Sequence, residues 1–360
     1  MLSIRNITKS FGPFAVFRSV SFEVGQGQYF VLLGASGVGK SVLLETIAGL
    51  IWPDAGRIFL DGRDVTNEKI QKRKFGLVFQ NSALFPHMTV YDNIAYPLRC
   101  KGLKNSQIQE RVDQIAEDFA VTGFLKRRVQ TLSGGESQRI SLARVVAREP
   151  RCLLLDEPLS SLDAKSRPQM RALLRKINRQ GQTIVHVTHD YTEAVSLGTH
   201  IAVMDAGRIA QAGTVEEVFQ HPKSEFVARF VGIRNFFQGQ LEKPADGPAN
   251  LRQFVTDGLG LSVMTDSVAD IGFVMVRSKD VTIYNAAMNA HTSARNNFEG
   301  TIVDIIPAAT GIEVLIDVGV GKPVEVAAMI SAESVKALEL HCGKRVWISF
   351  KASAARYIEQ

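Results

Sequence analysis

The chain has 360 residues, room for two or three domains at roughly 150 residues each, and its 45% apolar and 22% charged content suits a folded protein with a sizeable core rather than a disordered one. No apolar run reaches the ~18–20 residues of a bilayer-spanning helix, and the strongest, Val42 to Ile51, is broken by Glu45, so residence in a membrane through its own helices is excluded. Net charge is +6 but uneven, with 31 Lys/Arg against 22 Asp/Glu in residues 1–235 and 11 against 14 in residues 236–360; the basic front suits nucleotide phosphates or an anionic membrane surface, and no basic tract interleaved with aromatics marks a nucleic-acid module.

Met1-Leu-Ser-Ile-Arg-Asn lacks a basic leader followed by a long apolar stretch, so a cytoplasmic chain is expected. Cys100, Cys152 and Cys342 are odd in number and far apart, which argues for buried reduced thiols rather than a disulfide framework or a zinc site. In chain order, Ser3-Ile-Arg-Asn-Ile-Thr and Val20-Ser-Phe-Glu-Val alternate apolar with polar residues and predict antiparallel strands. Tyr29-Phe-Val-Leu-Leu is continuously apolar and precedes a Gly-rich turn and a helical stretch, Ser41 to Leu50. Cys152-Leu-Leu-Leu-Asp and Thr183-Ile-Val-His-Val-Thr repeat the buried-strand pattern, so an α/β fold with a mostly parallel sheet is predicted. Helical spacing dominates from about 105 to 148, with a break at Gly123, and a helical subdomain is expected over about 85–148.

Beyond Gly232 the texture turns to short Val- and Ile-rich strands, with helical spacing only from Glu333 to Leu340. The boundary is therefore expected at 232/233. Arg234-Asn-Phe-Phe-Gln-Gly returns as Arg295-Asn-Asn-Phe-Glu-Gly, and Val274-Met-Val-Arg-Ser-Lys resembles Ile348-Ser-Phe-Lys-Ala-Ser. Two copies of one small β-barrel, about 233–290 and 291–360, would explain both echoes, with Pro244-Ala-Asp-Gly-Pro as a loop in the first.

Gly34-Ala-Ser-Gly-Val-Gly-Lys40-Ser41 fits the phosphate-loop pattern between a buried strand and a helix. Glycines let backbone N–H groups curl round phosphates, Lys40 reaches the outer oxygens, and the Ser41 hydroxyl can ligate Mg²⁺. Alone, this motif means only nucleotide binding. Leu153-Leu-Leu-Asp156-Glu157 adds a carboxylate for Mg²⁺ and a general-base candidate for the attacking water. Leu132-Ser-Gly-Gly-Glu136-Ser-Gln-Arg opens a helical run with Ser133 and Glu136 spaced as a capping box, leaving an anion-seeking helix end.

The last motif resembles the LSGGQ signature of ABC-transporter ATPases, and the series extends to Gln80, to Ser160-Ser-Leu-Asp163 and to His189 after a buried strand, covering residues 1 to about 230. The resemblance implies an ABC ATPase fold: a parallel sheet core with an antiparallel β subdomain and a helical subdomain. It implies ATP contacts from Phe11, stacked on adenine, and from Gly34, Ala35, Ser36, Gly37, Val38, Gly39, Lys40, Ser41 and Val42. It gives Mg²⁺ to Ser41, Gln80 and Asp156, and catalysis to Glu157, His189 and Gln80, with His189 on the γ-phosphate and Gln80 linked to the transmembrane partner. Ser133, Gly134, Gly135 and Glu136 would reach the ATP of a second chain across an interface that includes Asp163, so a chain with one copy of each motif must act as a homodimer. Two departures stand out: Val42 replaces the usual Thr, predicting weaker ATP binding, and Glu136 replaces the usual Gln, predicting little change.

Leu84-Phe-Pro-His-Met-Thr-Val90 lies where ABC importers form a cleft for a helix of the permease, so the resemblance implies a chain held at the cytoplasmic membrane face by permease subunits and linked through them to a substrate-binding protein. Thr292-Ser-Ala-Arg-Asn-Asn-Phe-Glu-Gly300, Met329-Ile-Ser331 and Ile348-Ser-Phe-Lys351-Ala-Ser353 resemble molybdate-binding Mop domains, an OB-like, TOBE-type barrel. That resemblance implies a regulatory oxyanion site between the regulatory domains of two chains, from Ser293, Arg295, Asn296, Ser331, Lys351 and Ser353, and a molybdate or tungstate importer ATPase inhibited by its own cargo. Importers of sulfate, iron, polyamines or sugars stay open as alternatives, as does an ABC ATPase without a membrane partner.

Overall fold

Leu2, Ile4 and Ile7 are the buried residues of β1 (Leu2–Phe11), and a two-residue turn returns the chain as antiparallel β2 (Phe14–Val24). There follow β3 (Tyr29–Leu33), α1 (Lys40–Ala48), β4 (Ala55–Leu60), β5 (Arg63–Asp64), β6 (Phe75–Val78), α2 (Val90–Cys100), α3 (Asn105–Asp118) and α4 (Gly134–Val146). Then come β7 (Cys152–Asp156), α5 (Ser166–Arg179), β8 (Thr183–Thr188), α6 (Tyr191–Leu197), β9 (His200–Asp205), β10 (Arg208–Thr214) and α7 (Val215–Gln220). This computed structural model describes residues 1–242, 250–256, 258–267, 269–287, 292–308 and 311–359. The chain divides into two compact units, Met1–His221 and Pro222–Gln360.

In the first unit, β2-β1-β4-β5 form an antiparallel sheet, and β10-β9-β3-β8-β7-β6 form a second sheet in which only β10 runs antiparallel to its neighbour. Every residue of β3, β7 and β8 is buried, as a parallel sheet covered on both faces requires. Phe17, Phe30, Leu32, Leu43, Ile47, Leu154 and Val187 join one apolar cluster that welds α1 and both sheets together. The helical subdomain consists of α2, α3 and α4, with Thr89 capping α2 by accepting the Asp92 N–H.

The second unit begins with α8 (Glu225–Phe230), whose Ala228 packs against Phe236 and Met275. That packing draws the boundary to 221/222, eleven residues before the change of sequence texture. The strands are β11 (Asn235–Leu241), β12 (Leu251–Thr256), β13 (Leu259–Met264), β14 (Ile271–Val276), β15 (Thr282–Tyr284), β16 (Asn296–Ala308), β17 (Gly311–Asp317) and β18 (Glu325–Ile330). After α9 (Ala332–Ala337) come β19 (Arg345–Phe350) and β20 (Arg356–Glu359). The Pro244–Pro248 loop falls outside the described residues.

The sequence echoes register in the strands: Asn235 lies opposite Val276, and Asn296 lies opposite Phe350. The repeats, however, are not self-contained. The sheets run β13-β12-β11-β14-β20 and β18-β17-β16-β19-β15, so each takes its closing strand from the other repeat. Buried asparagines reinforce the exchange. Asn235 exchanges two hydrogen bonds with the Ala327 backbone, at 2.8 and 2.6 Å, and Asn296 does the same with Ser262, at 2.9 and 2.7 Å. One apolar cluster, including Phe254, Val274, Ile316 and Ile348, fills the interior of both sheets.

Of the three free cysteines only Cys152 is buried; Cys100 and Cys342 are exposed, contrary to the expectation of three buried thiols, because they lie at a helix end and in a loop rather than in a core strand. Among the described residues no helix is long and apolar enough to cross a membrane.

Candidate functional site

Parallel pairing brings the chemistry to one sheet edge. Leu33 ends β3 beside Thr188 of β8, and Asp156 ends β7 beside Val187, so the phosphate loop, the two carboxylates and His189 emerge side by side. Gly39 is the N-cap of α1 with φ +97, and a Cβ there would come within 2.7 Å of the Val16 side chain; only glycine closes this loop.

Lys40 Nζ donates to the Gly34 and Ala35 carbonyls, at 2.9 and 2.8 Å, which curls the loop round its own ammonium. Burial lowers the Lys40 pKa, opposed by the Glu157 and Asp156 carboxylates. Ser41 Oγ donates to Asp156 Oδ1 at 2.9 Å. Burial raises the Asp156 carboxyl above its ordinary value, and that Ser41 bond works in the opposite direction. Val42 is half-buried and packs its methyls against the core where a threonine hydroxyl would otherwise stand.

Glu157 adopts a left-handed φ of +42, uncommon for a residue with a side chain and costing about 1–3 kcal/mol, and its N–H donates to the Val187 carbonyl at 3.0 Å. The consequence is an aimed carboxylate: Glu157 Oε1 lies 3.0 Å from His189 Nδ1. Gln80 is exposed, and its amide donates to Ser160 Oγ at 3.3 Å rather than joining the Ser41–Asp156 pair. Ser160 in turn donates to the Glu157 carbonyl at 2.8 Å, a link between Gln80 and Glu157 that no motif signalled.

The α4 capping box forms as its spacing predicts. Ser133 Oγ accepts the Glu136 N–H at 3.3 Å, and Glu136 Oε2 accepts the Ser133 N–H at 2.7 Å. That backbone bond is the main cause holding the Glu136 carboxyl below its usual range. Ser133 and Gly134 are exposed and Gly135 is buried, so the helix end is presented outward. Asp163 is likewise exposed and caps its own turn through the Lys165 and Ser166 N–H groups, both at 2.9 Å. Phe11 is 50% exposed at the β1 end with the Lys9 ammonium 5.3 Å from its ring centroid; Phe14, its partner across the hairpin and 77% exposed, is a second free aromatic that the sequence did not single out.

An apolar groove of about 330 Å³ lies on the same unit, lined by Leu50, Phe79, Phe85, Tyr96, Arg144 and Val145. Phe79 is the neighbour of Gln80, and Phe85 belongs to the predicted 84–90 segment. The Phe85 ring is packed 4.8 Å from Tyr96, with the Arg144 guanidinium 4.9 Å above it.

Within one chain, two of the predicted oxyanion residues line a common pocket of the second unit. Ser293 and Lys351 line one pocket of about 440 Å³ with Asp280, Thr282, Tyr284, Thr292 and Ser349. Arg295, Ser331 and Ser353 are exposed and lie outside its lining. Ser331 caps α9 by accepting the Ser334 N–H, and the Asn296 amide is spent on the Ser262 backbone. Thr282 and Tyr284 enter through the exchanged strand β15, so no local motif marked them; their every-other-residue spacing was the available signal.

A phosphate loop feeding a helix, two carboxylates at the end of β7 and a capped signature helix define an ATP-binding cassette. An ABC transporter family model matches residues 17–160, and a TOBE domain model matches residues 292–355. The chain is 38% identical to a molybdate/tungstate import ATP-binding protein of Pyrococcus horikoshii, over 98% of this chain and 99% of that one. It is 34% identical to a spermidine/putrescine import ATP-binding protein of Nitrosomonas europaea, over 99% of both chains. Its fold matches the dimeric ATP-binding cassette MJ0796, solved with ADP and phosphate, at TM-score 0.55 and 28% identity, covering 60% of this chain and 99% of that one. The chain belongs to the ATP-binding import proteins of the ABC transporters, and its reaction is ATP hydrolysis coupled to transport.

Proposed function

We propose that the chain powers import of molybdate or tungstate as a homodimer beneath a permease at the cytoplasmic membrane face, and that the same oxyanion, bound by the second unit, slows it. The observation that carries this is the pairing of an assembled hydrolytic edge with a polar pocket holding Ser293 and Lys351. Lys40 and the loop N–H groups take the phosphates, Glu157 accepts the proton of the attacking water, and His189, braced on Glu157, faces the γ-phosphate. Ser41 and Asp156 are hard oxygen donors already 2.9 Å apart, a donor set that suits Mg²⁺, with Gln80 as a third once it leaves Ser160. When bound, the ion neutralises charge on the β and γ oxygens. Ser133, Gly134, Gly135, Glu136 and Asp163 serve the partner's nucleotide. The groove round Phe85 and Tyr96 receives a permease helix, next to Gln80.

In the second unit one ammonium and several hydroxyls suit a tetrahedral dianion, opposed by the Asp280 carboxylate of the same pocket. Inhibition follows if the anion binds the open dimer more tightly than the closed one. Calorimetric titration of the full chain with molybdate, tungstate and sulfate, alongside ATPase assays with the permease, tests this. Tight molybdate or tungstate binding that depresses ATPase is expected; binding without inhibition removes the regulatory part, and preference for sulfate or no binding returns the cargo to another importer class.

A further inference from the structure

Behind His189 lies a buried polar chain that the hydrolytic edge does not use. Thr188, which ends β8, accepts the Asp190 N–H at 3.0 Å and donates its own proton to Glu193 Oε2 at 2.9 Å. One hydroxyl therefore ties together the residues on both sides of His189 and anchors them to the first turn of α6. Glu193 is in turn faced by His186 Nε2 at 3.3 Å, and His186 Nδ1 is bonded to the Tyr29 hydroxyl at 2.9 Å. The His186 Nε2 contact is close but misaligned, so this nitrogen is left without a hydrogen bond in a fully buried ring. Thr188, His186 and Tyr29 are at most 2% exposed and Glu193 7%, in a largely apolar sheet core. Four polar side chains in so dry a place destabilise the sheet unless they serve one another. Burial also keeps the Tyr29 phenol neutral, so it can act as a donor.

We infer that Thr188 and Glu193 are positioning residues for His189, stiffened from the sheet core by His186 and Tyr29. The inference rests on the proposed role of His189 at the γ-phosphate. The His189 side chain is half exposed and, among the described residues, held by its Glu157 bond alone at one ring nitrogen, so its aim depends on the backbone that Thr188 holds.

The test is a double-mutant cycle on ATP hydrolysis by the full chain, with kcat and KM measured separately for Thr188→Val, Thr188→Ser, His189→Ala and the Thr188→Val/His189→Ala pair. Thr188→Val is expected to lower kcat about tenfold with KM within twofold, Thr188→Ser to restore it, and Thr188→Val to cost nothing further once His189 is alanine. An equal loss with and without His189, a wild-type kcat in Thr188→Val, or a proportionate rise in KM overturns the positioning role. A wild-type kcat in His189→Ala overturns the assignment of His189 itself. Should Thr188→Val not fold, Tyr29→Phe removes one distal hydroxyl: about a threefold loss of kcat that vanishes in His189→Ala supports the positioning role, and a loss that persists there overturns it.

Discussion

The first unit gathers its chemistry at the ends of three adjacent parallel strands, whereas the second spreads its polar residues over strand ends, helix caps and exposed turns. In a parallel sheet the loops leaving neighbouring strands must meet, so residues more than a hundred positions apart, such as Ser41 and Asp156, arrive within hydrogen-bond distance without special contrivance. In the antiparallel exchanged sheets, successive strand ends alternate sides. Function there has to be assembled from whichever turns the topology brings close, and among the described residues of one chain Ser293 and Lys351 are the predicted oxyanion residues that share a pocket.

The largest expected effect tests the integrity of the hydrolytic edge. Glu157→Gln keeps the side-chain shape but removes the proposed base, and ATP turnover should fall by at least about a hundredfold while nucleotide binding, measured by fluorescence titration, persists. A modest loss would mean that the carboxylate only braces His189. Next come the asparagines that hold the exchanged repeats. Asn235→Ala removes two buried hydrogen bonds and Asn296→Ala two part-buried ones, leaving backbone groups unserved, so each should cost about 2–4 kcal/mol in denaturant unfolding. Similar losses at the two positions sharpen the symmetry of the second unit; a large difference breaks it. Lys351→Ala should weaken oxyanion binding about tenfold in calorimetry, one charge-assisted bond's worth, and more than Arg295→Ala does. The reverse order would show that the exposed Arg295, not this pocket, carries the anion.

Smaller changes refine the nucleotide side. Val42→Thr should tighten ATP binding by about 0.5–1.5 kcal/mol if the new hydroxyl reaches phosphate, with kcat unchanged. Glu136 is smallest. Its carboxyl is held below the unfolded value by the Ser133 N–H, so its contribution is present above about pH 4.3 and is lost as pH falls through the lower folded value. Because it sits at the surface, Glu136→Gln should flatten the acid limb of the stability curve only slightly, and a thermal melt series from pH 3 to 7 reads it.

The ATPase half was legible because its motifs are contiguous: the phosphate loop, the capping box and the Asp156-Glu157 strand end are each specified by neighbours in sequence, and each folded as its spacing predicts. The repeat was legible for the same reason, since the Asn235 and Asn296 echoes fall on equivalent strand positions. The exchange of β15 and β20 was hidden, because either strand carries the same alternation whichever sheet it closes. The Tyr29–His186–Glu193 chain was hidden for a different reason. A histidine within an apolar strand announces itself, but its partners lie on two other elements, and pairwise proximity between strands leaves no trace in a single sequence.

Strand exchange also sets an order of events during synthesis. The first sheet acquires its edge only when β20 emerges, after every strand of the second sheet has been made. Until then β14 offers an open row of backbone groups, and β15, already made, waits for β19. The second sheet can therefore close before the first, although it lies later in the chain, and a nascent chain stalled before Arg356 would present the kind of unsatisfied edge that chaperones and neighbouring chains seek out.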